Sequence, residues 1–166
     1  FVVSMATAHL NGRTDHDDVL DPDALLYVAQ ELKEHPDAKI LYSDEDKIRE
    51  DGSRYDPHFK PDWNRELIYS INYVSHLGVY STDLVRKIGG FRVGFEGAQD
   101  HDLLLRCLPH VSDTQIRHLP KVLYSWRASP GSAADSGDAK PYAWDAGARA
   151  ISEHLTETLG TTITVS

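Results

Sequence analysis

The stretch NGRTDHDDVLDPDALL, residues 11–26, sets several acids and one histidine directly before a helix signal. Asp21 followed by Pro22 is a typical helix start, because an aspartate oxygen caps the first backbone amides and proline suits the first helical position. Ahead of the stretch, FVVSM at 1–5 has the pattern of a short buried strand, and ATAHLNGRT at 6–14 has the composition of a loop. The start of the chain therefore predicts a strand, a polar loop and a helix in succession.

Strand and helix patterns continue to alternate along the rest of the chain. The main expectations are a helix ended by Pro36, a strand at KILYS (39–43), a tight turn with positive φ at Asp51 and Gly52, an irregular RYDPHFKPDWN (54–64), a helix at AQDHDLLLRCL (98–108), a strand pair or a proline-kinked strand at 116–127, and a last strand at TTITV (161–165). Such alternation is typical of an α/β fold, here expected as a single domain over residues 1–166.

A long helix is expected to begin at Pro141 near the end of the chain. Its apolar residues recur at helical spacing, which predicts one buried stripe. The stripe consists of Trp144, Ala148, Ile151, Leu155 and Leu159.

Composition restricts the class of function. The chain has 166 residues, of which 40% are hydrophobic and 26% charged, as in ordinary globular proteins. The formal net charge of -9 argues against a nucleic-acid binder, which needs clustered lysine and arginine. No apolar run is long enough to cross a bilayer. The single cysteine, Cys107, indicates a reducing compartment, so we expect a cytoplasmic protein, free or peripheral at the cytoplasmic face of a membrane.

The acids Asp15, Asp17 and Asp18 allow two interpretations. Carboxylates at this spacing can hold Mg²⁺ or Mn²⁺, which prefer oxygen ligands and often bridge to phosphates. Alternatively, the acids belong to a solvated loop whose Asp21 caps the helix. Short acidic patterns occur often by chance, so this stretch alone favours the loop.

A second acidic cluster lies in GFEGAQDHDLLLR, residues 94–106. It places Glu96, Asp100 and Asp102 around a helix start, with glycines that permit sharp turns before it. An aspartate there either interacts with the helix dipole or acts as a general base presented to a cleft. Further on, Trp126 and Arg127 end an apolar strand, where an arginine suits a diphosphate and a Trp-Arg pair is also common at ordinary surfaces.

These motifs, taken in order, resemble a known family. They are DHDDVLDPDAL (15–25), ILYSDEDKI (40–48), DPHFKPDWN (56–64), NYVSHLGVYSTDLVRKIGGFRVGFEGAQDHDLLLR (72–106), IRHLPKVLYSWRASPGSAA (116–134) and KPYAWDAGARAISEHL (140–155). The chain is similar to family 2 inverting glycosyltransferases of the GT-A fold, including bacterial enzymes that build surface polysaccharides. The resemblance covers nearly everything from Asp15 onward.

The resemblance implies a role for each matching residue. Asp15 and Asp17 would contact the donor nucleotide and hold Mg²⁺ or Mn²⁺ on its diphosphate, with Asp18 beside them. Asp100, in the Gln-Asp pair at a helix start, would be the catalytic base, and the sugar would be transferred with inversion. Trp126 and Arg127 match a segment that closes over the diphosphate. The acceptor, a glycan or a lipid-linked sugar, is expected near Asp44, Glu45, Asp46, Glu96 and Gln99.

The chain departs from the family pattern in three places. Residues 1–14 form an atypical segment, because in the family a strand runs directly into the acidic motif. Ser125 stands where many members have a metal-ligating histidine, so we expect weaker cation binding. The N-terminal βαβ half that binds the nucleotide has no counterpart here. We therefore expect a partial GT-A fold, with a mixed sheet flanked by helices, and weak or no activity of the isolated chain. The incomplete sheet favours self-association or pairing with the missing half.

Two other classes of function remain open from the sequence. One is a non-catalytic binding module derived from the same fold, which would keep the acceptor groove and need no metal. The other is a metal-dependent hydrolase built on Asp15, Asp17, His16 and His118. The hydrolase is the weakest interpretation, because the histidines lack the spacing of metal ligands.

Overall fold

In the described part of the chain, a mixed sheet of seven strands forms the centre of the protein. The computed structural model describes the backbone of residues 2–5, 10–13, 18–127 and 141–165. The strands are β1 (Val2–Met5), β2 (Leu10–Arg13), β3 (Val19–Leu20), β4 (Ile40–Ile48), β5 (Arg54–His58), β6 (Gly78–Ser81) and β7 (Ile116–Arg127). Their order is β1-β2-β6-β4-β7-β3, and β5 pairs with β4 outside this path.

Helices cover both faces of this sheet. They are α1 (Ala24–Glu34), α2 (Thr82–Lys87), α3 (Gln99–Cys107) and α4 (Pro141–Leu159), with single 3-10 turns at Leu67–Tyr69, Leu108–His110 and Asp113–Gln115. The arrangement confirms the expected α/β class with a mixed sheet flanked by helices. Among the described residues, no helix combines the length and the apolar composition that crossing a membrane requires.

Successive residues of β4 contribute to two separate cores. Ile40 and Tyr42 are fully buried in a core with residues of α3 and α4. Leu41 points to the other face and packs with Val28 of α1. This alternation is the ordinary two-residue period of a strand, and it explains why the first half of β4 is apolar on both sides.

The parallel pair of β4 and β7 contains the irregularity that shapes the site. Ser43 is paired with Leu119, but Asp44 is already paired with Val122, so β7 has extra residues at Pro120. Proline cannot donate a ladder hydrogen bond, which explains why the bulge falls there. The expected strand pair or kinked strand is therefore one bulged strand.

Three expectations about local structure were wrong. Residues 10–13 form β2, which pairs with β6, instead of loop. Residues 54–58 form β5 despite Pro57, because β4 is its one partner among the described strands and an edge tolerates proline. The segment 161–165 is not a strand: the amides of Ile163 and Val165 donate to Thr156 Oγ1 and Ser152 Oγ on α4.

Turn and cap details also differ from the expectation. In the hairpin between β4 and β5, Gly52 has a φ of 83°, but Asp51 has no positive φ and accepts the Ser53 amide on its carboxylate. Helix α1 begins at Ala24, and Asp21 Oδ1 accepts the Asp23 amide just before it. Asp21 therefore organises the helix entry, two residues earlier than a direct cap would.

The buried face of α4 differs from the predicted stripe. Trp144 is 73% exposed and Leu159 is 62% exposed. Ile151 is buried and Leu155 packs against the core, as the stripe predicted. The buried face also contains Ala146, Ala150 and His154, which the stripe left out. Small residues lie there because α4 packs closely on the loop before α3: a Cβ added at Gly97 would lie 2.7 Å from the Cβ of Ala143.

Candidate active site

A cleft of about 980 Å³ opens near the carboxyl ends of β4 and β7. Its walls come from Glu45 of β4, Trp126 of β7, the start of α3, the segment 69–76 and one side of α4. Ligands of open α/β sheets bind at this position, beyond the carboxyl ends of parallel strands. The fold thus places the candidate site where the sheet leaves room for one.

Asp100 lies in the first turn of α3 and lines the cleft. One of its carboxylate oxygens, Oδ1, accepts the His101 amide at 3.0 Å. The turn before it depends on Gly97, which has a φ of 87° and contacts α4 too closely to carry a side chain. The sequence therefore presents a carboxylate on a rigid helix end, as a general base requires.

Glu45 also lines the cleft and belongs to a buried charged network. Its Oε2 accepts the His76 amide at 2.8 Å and lies 3.4 Å from His76 Nδ1 and 3.8 Å from Lys60 Nζ. Its Oε1 lies 3.5 Å from His58 Nδ1. The Lys60 side chain is fully buried and also donates to the His76 carbonyl. One carboxylate thus fixes both the backbone and the ring of His76.

Burial and charge act against each other in this network. Burial alone would raise the pKa of Glu45, but hydrogen bonds from His76 and the charge of Lys60 outweigh it, so its pKa lies below the ordinary value. Burial alone would lower the pKa of His76, but Glu45 and, more weakly, Asp100 raise it. Burial lowers the pKa of Lys60 to about 8 although Glu45 opposes the shift. The network therefore favours an ionised Glu45 beside a protonated His76.

His76 connects the cleft to Asp18 through Tyr124. The two rings stack at 5.1 Å with an interplanar angle of 14°, and Trp126 lies 5.6 Å from the same imidazole. The Tyr124 hydroxyl donates to Asp18 Oδ2, and the Arg127 amide donates to Asp18 Oδ1 at 2.7 Å. Asp18 is thereby held against the end of β7, beside the Trp-Arg pair that the sequence assigned to the donor side.

The other acids assigned to the acceptor side do not line the cleft. Asp44 is buried, and its Oδ1 lies 2.9 Å from His118 Nε2 and accepts the Lys60 amide. Asp46 is buried on β4, 3.9 Å from Arg54, with Oδ1 lacking a hydrogen-bond partner among the described residues. Of the three acids in the SDED stretch, Glu45 alone contributes to the cleft.

Glu96 and Gln99 lie next to the cleft without lining it. Glu96 is exposed, and its carboxylate accepts the Gly94 amide at 2.9 Å, so it stabilises its own turn. Gln99 begins α3, and its Oε1 is buried without a hydrogen-bond partner among the described residues. Arg127 also lies outside the set of cleft residues.

The expected metal ligands, Asp15 and Asp17, lie outside the described residues. Among the described residues, one group of side chains is close enough to share a cation, Glu31, Glu34 and His35 on α1. Glu31 and His35 already contact Arg117, so this group carries no site. At the expected site, Ser125 is fully buried, and its Oγ lacks a partner among the described residues. A hydroxyl and carboxylates are oxygen donors that suit Mg²⁺ or Mn²⁺.

Sequence reasoning missed three residues of this site. His76 and Lys60 lie within the quoted motifs, but nothing in their spacing distinguishes them from surface residues. Trp144 was placed in the core by helical periodicity, although it lies on the cleft rim. A lone histidine, lysine or tryptophan acquires a role only from what the fold brings beside it.

Comparison with known proteins finds relatives among much longer chains. No protein-family model matches the chain. It is 66% identical over 151 residues to the uncharacterized protein y4gI of Sinorhizobium fredii, covering 91% of this chain and 17% of that protein. It is 41% identical over 139 residues to the O-antigen biosynthesis protein RfbC of Myxococcus xanthus, covering 84% and 11%. It is 27% identical over 124 residues to the chondroitin synthase of Pasteurella multocida, covering 74% and 12%. The chain thus spans less than a fifth of the length of each of these relatives.

A solved structure has a fold similar to that of this chain. The structure of S. aureus TarS 1-349 in complex with UDP-GlcNAc matches with a TM-score of 0.56 at 18% identity, covering 84% of this chain and 40% of that one. Together with the named relatives, this likeness confirms the resemblance to a GT-A-like glycosyltransferase fold. The coverage agrees with the expectation that the chain corresponds to part of that fold.

Proposed function

We propose that the chain carries the acceptor side and the catalytic base of an inverting, metal-assisted glycosyltransferase of the family 2 type. It would transfer a sugar from a nucleotide-diphospho-sugar to a glycan or lipid-linked acceptor in surface polysaccharide synthesis. The observation that carries the proposal is the position of Asp100, on a rigid helix start inside a cleft beyond the parallel strands. The names of the relatives agree with such a role.

The proposed reaction is a single displacement. An acceptor hydroxyl oxygen attacks the anomeric carbon from the face opposite the nucleotide, and the bond from that carbon to the diphosphate oxygen breaks. The Asp100 carboxylate takes the hydroxyl proton, and the nucleoside diphosphate leaves with the bonding electrons. One displacement inverts the anomeric carbon, and a positioned base contributes typically about 10²–10⁴-fold to such a step.

The donor side would be formed by the acidic loop and the end of β7. Asp15 and Asp17 are proposed to hold Mg²⁺ or Mn²⁺, which would offset the charge that develops on the diphosphate. Asp18, which follows these two acids in the sequence, is fixed by Tyr124 and the Arg127 amide. His76, which stacks on Tyr124 and is influenced by the charge of Asp100, would add a positive charge to the site.

The proposal also covers the location and the partners of the chain. We propose a cytoplasmic location, free or peripheral at the membrane, and no role for nucleic acid. β1 lies at one end of the sheet order, and an edge strand is a ready template for pairing. Self-association, or pairing with the half that binds the nucleotide, is proposed on that basis. Light scattering across a concentration series would measure it, and a constant monomer mass would contradict it.

Calorimetric titration with UDP and dTDP, with and without Mn²⁺, tests the donor site. We expect cation-dependent binding that Asp17→Ala abolishes. Asp23→Ala is the matched control, because Asp23 is an exposed acid just beyond the same loop. Binding that ignores Mn²⁺ or survives Asp17→Ala would contradict the metal assignment. The absence of any nucleotide binding would favour the non-catalytic binding module instead.

A second experiment tests the base. Asp100→Asn should lower sugar transfer by about 10²-fold or more while nucleotide binding is retained, because only proton transfer is removed. Glu96→Gln is the control, since Glu96 contacts its own turn outside the cleft. An equal loss of sugar transfer in both variants would mean that transfer depends on the conformation of the turn before α3 and not on the Asp100 carboxylate.

A further inference from the structure

His76 differs from the other basic side chains that line the cleft, which belong to His58, His101 and Arg149. Arg149 already donates to the Gly94 carbonyl and lies 4.0 Å from Glu153. Burial lowers the pKa of His101, which favours its neutral ring, and His58 is half exposed. Burial also disfavours a charge on His76, but the contact with Glu45 outweighs it and raises the pKa of this ring. His76 is therefore the cation that the fold itself maintains at the wall of the cleft.

The ring of His76 is held through one of its two nitrogens. Glu45 Oε2 accepts the His76 amide at 2.8 Å and lies 3.4 Å from Nδ1 of the ring. Lys60 Nζ donates to the His76 carbonyl, which fixes the backbone on the other side of the residue. Among the described residues, no group forms a hydrogen bond with the second ring nitrogen, Nε2. Because the side chain lines the cleft and is 20% exposed, this charged N–H group is left for a ligand.

The neighbours of His76 belong to both sides of the proposed reaction. Its ring stacks on Tyr124 with centroids 5.1 Å apart, and the Trp126 ring lies 5.6 Å away. Trp126 is the residue assigned to the donor diphosphate, and Tyr124 donates to Asp18. Asp100, the proposed base, lines the same cleft, and its charge raises the pKa of His76, though less than Glu45 does. A donor with its sugar at Asp100 and its diphosphate at Trp126 would therefore lie beside this ring.

The charges around His76 leave a positive charge at the surface of the cleft. The titratable groups near it are Glu45 of β4, His58 of β5, Lys60, Asp100 of α3 and Tyr124 of β7. The Lys60 side chain is fully buried, and its Nζ lies 3.8 Å from Glu45 Oε2, so these two charges offset each other inside the fold. His76 is then the member of this network that presents a positive charge to a ligand.

We infer that the Nε2–H group of His76 binds the donor diphosphate and stabilises the charge that it gains as the bond to the anomeric carbon breaks. A charged N–H group is a strong hydrogen-bond donor to a phosphate oxygen, and it acts most effectively when it is fixed before the charge develops. His76 transfers no proton in this step. Asp100 takes the proton of the acceptor hydroxyl, and the nucleoside diphosphate leaves with the bonding electrons. The inference rests on the proposed function and adds a residue for the leaving group.

Binding of UDP and of inorganic pyrophosphate tests the inference without catalysis. The His76 imidazole protons are titrated by NMR with Mg²⁺ alone and with Mg²⁺ plus each compound. We expect both anions to raise the pKa of His76, because a bound phosphate favours the charged ring. A histidine that serves only the fold would titrate identically with and without the anion.

A substitution measures how much the ring contributes. His76→Gln should weaken the binding of UDP and of pyrophosphate by about tenfold or more, the expected effect of losing one charge-assisted hydrogen bond. His110→Gln is the matched control and should bind as the wild type does, because His110 is exposed and lies outside the cleft. If His76→Gln does not fold, the NMR titration of the wild type decides.

Two results would overturn the inference and leave the proposed transfer intact. They are a His76 pKa that does not change when UDP saturates the chain, and equal UDP affinity in His76→Gln and His110→Gln. If pyrophosphate binds through His76 but UDP does not bind, the anion site stands and the transfer from a nucleotide-sugar fails. If neither compound binds, both the inference and the proposed donor site are wrong.

Discussion

Asp102 follows Asp100 by two residues on α3, yet it is shut away from the cleft that Asp100 lines. Asp102 is 1% exposed and forms ion pairs with Arg92 and Arg106. Arg106 also donates to the Ile88 carbonyl at 2.9 Å, which ties α3 to the end of α2. The QDHD motif therefore contains Asp100, which lines the cleft, and Asp102, which stabilises the fold through two arginines.

We expect Asp102→Asn to destabilise the protein by roughly 3 kcal/mol, because it leaves arginine charges without their buried partner. Arg106 is 16% exposed and Arg92 is 37% exposed, so solvent relieves part of the cost. The measurement is the free energy of unfolding in urea. Asp100→Asn is the control and should change it by less than about 0.5 kcal/mol. Similar losses in both variants would contradict the division of roles.

A second prediction concerns the contact that positions Asp100. Gly97→Ala places a Cβ 2.7 Å from the Ala143 Cβ and 3.3 Å from its Cα, and also strains a φ of 87°. Gly52→Ala is the matched control, because Gly52 has a φ of 83° with nothing within 4 Å. Both variants suffer the backbone strain, but only Gly97→Ala adds an overlap, expected to cost roughly 1–3 kcal/mol more. Equal unfolding free energies would mean that α4 moves freely away from the loop before α3.

The sequence predicted the helices better than the strands, for a physical reason. Caps and 3.6-residue periodicity are local signals, and they located α1, α3 and α4 to within a few residues. β2 and β5 were not predicted, because LNGR and RYDPH show no alternation of apolar and polar residues. They form strands because β6 and β4 pair with them. TTITV has strand propensity, yet its amides bind side chains of α4.

The sequence predicted that Asp100 lies at a helix start, but it did not predict which residues the fold brings beside it. Asp100 follows from a motif at a helix start. Which acid of the SDED stretch lines the cleft depends on what lies beside β4, whose register with β7 shifts twice, between Ser43 and Asp44 and between Asp44 and Glu45. Trp144 has helical spacing to real core residues, and periodicity alone cannot tell the packed side of a helix from its neighbour. Both depend on contacts between residues that are distant in the sequence, which a local sequence pattern does not encode.

A third prediction concerns acid stability. Burial lowers the pKa of His101, whose Nε2 lies 2.8 Å from the Ile68 carbonyl oxygen, and burial together with Arg65 lowers that of His154. At these two rings the unfolded chain therefore binds more protons than the folded chain just below the ordinary histidine pKa of about 6.5, so their contribution to stability should fall as the pH drops through that region.

Urea unfolding at a series of pH values measures this effect. His154→Gln should reduce the loss of stability between neutral and mildly acidic pH, since one of the two buried rings no longer has to be protonated. His110→Gln is the control, because His110 is exposed. A pH profile identical in wild type and His154→Gln would show that this ring does not contribute.

The fourth prediction concerns the Glu45–His76 pair. Glu45 raises the pKa of His76 against the effect of burial, so Glu45→Gln should drop the His76 pKa below its ordinary value of 6.5. NMR titration of the imidazole protons measures this directly. His58→Gln is the control, since His58 contacts the other oxygen of Glu45 from an exposed position. An unchanged His76 titration in Glu45→Gln would mean that the pair is not coupled.

The same pair predicts a pH window of stability. The raised pKa of His76 contributes stability that is fully present below 6.5 and is lost as the pH rises through the folded value. The lowered pKa of Glu45 contributes stability that is present above 4.5 and is lost as the pH falls through its folded value. The destabilisation by Glu45→Gln should therefore be largest between 4.5 and 6.5. It should persist in part up to the pKa of Lys60, about 8, because this ammonium also faces the Glu45 carboxylate. A destabilisation that stays constant from pH 4 to 9 would show that Glu45 acts through packing and not through charge.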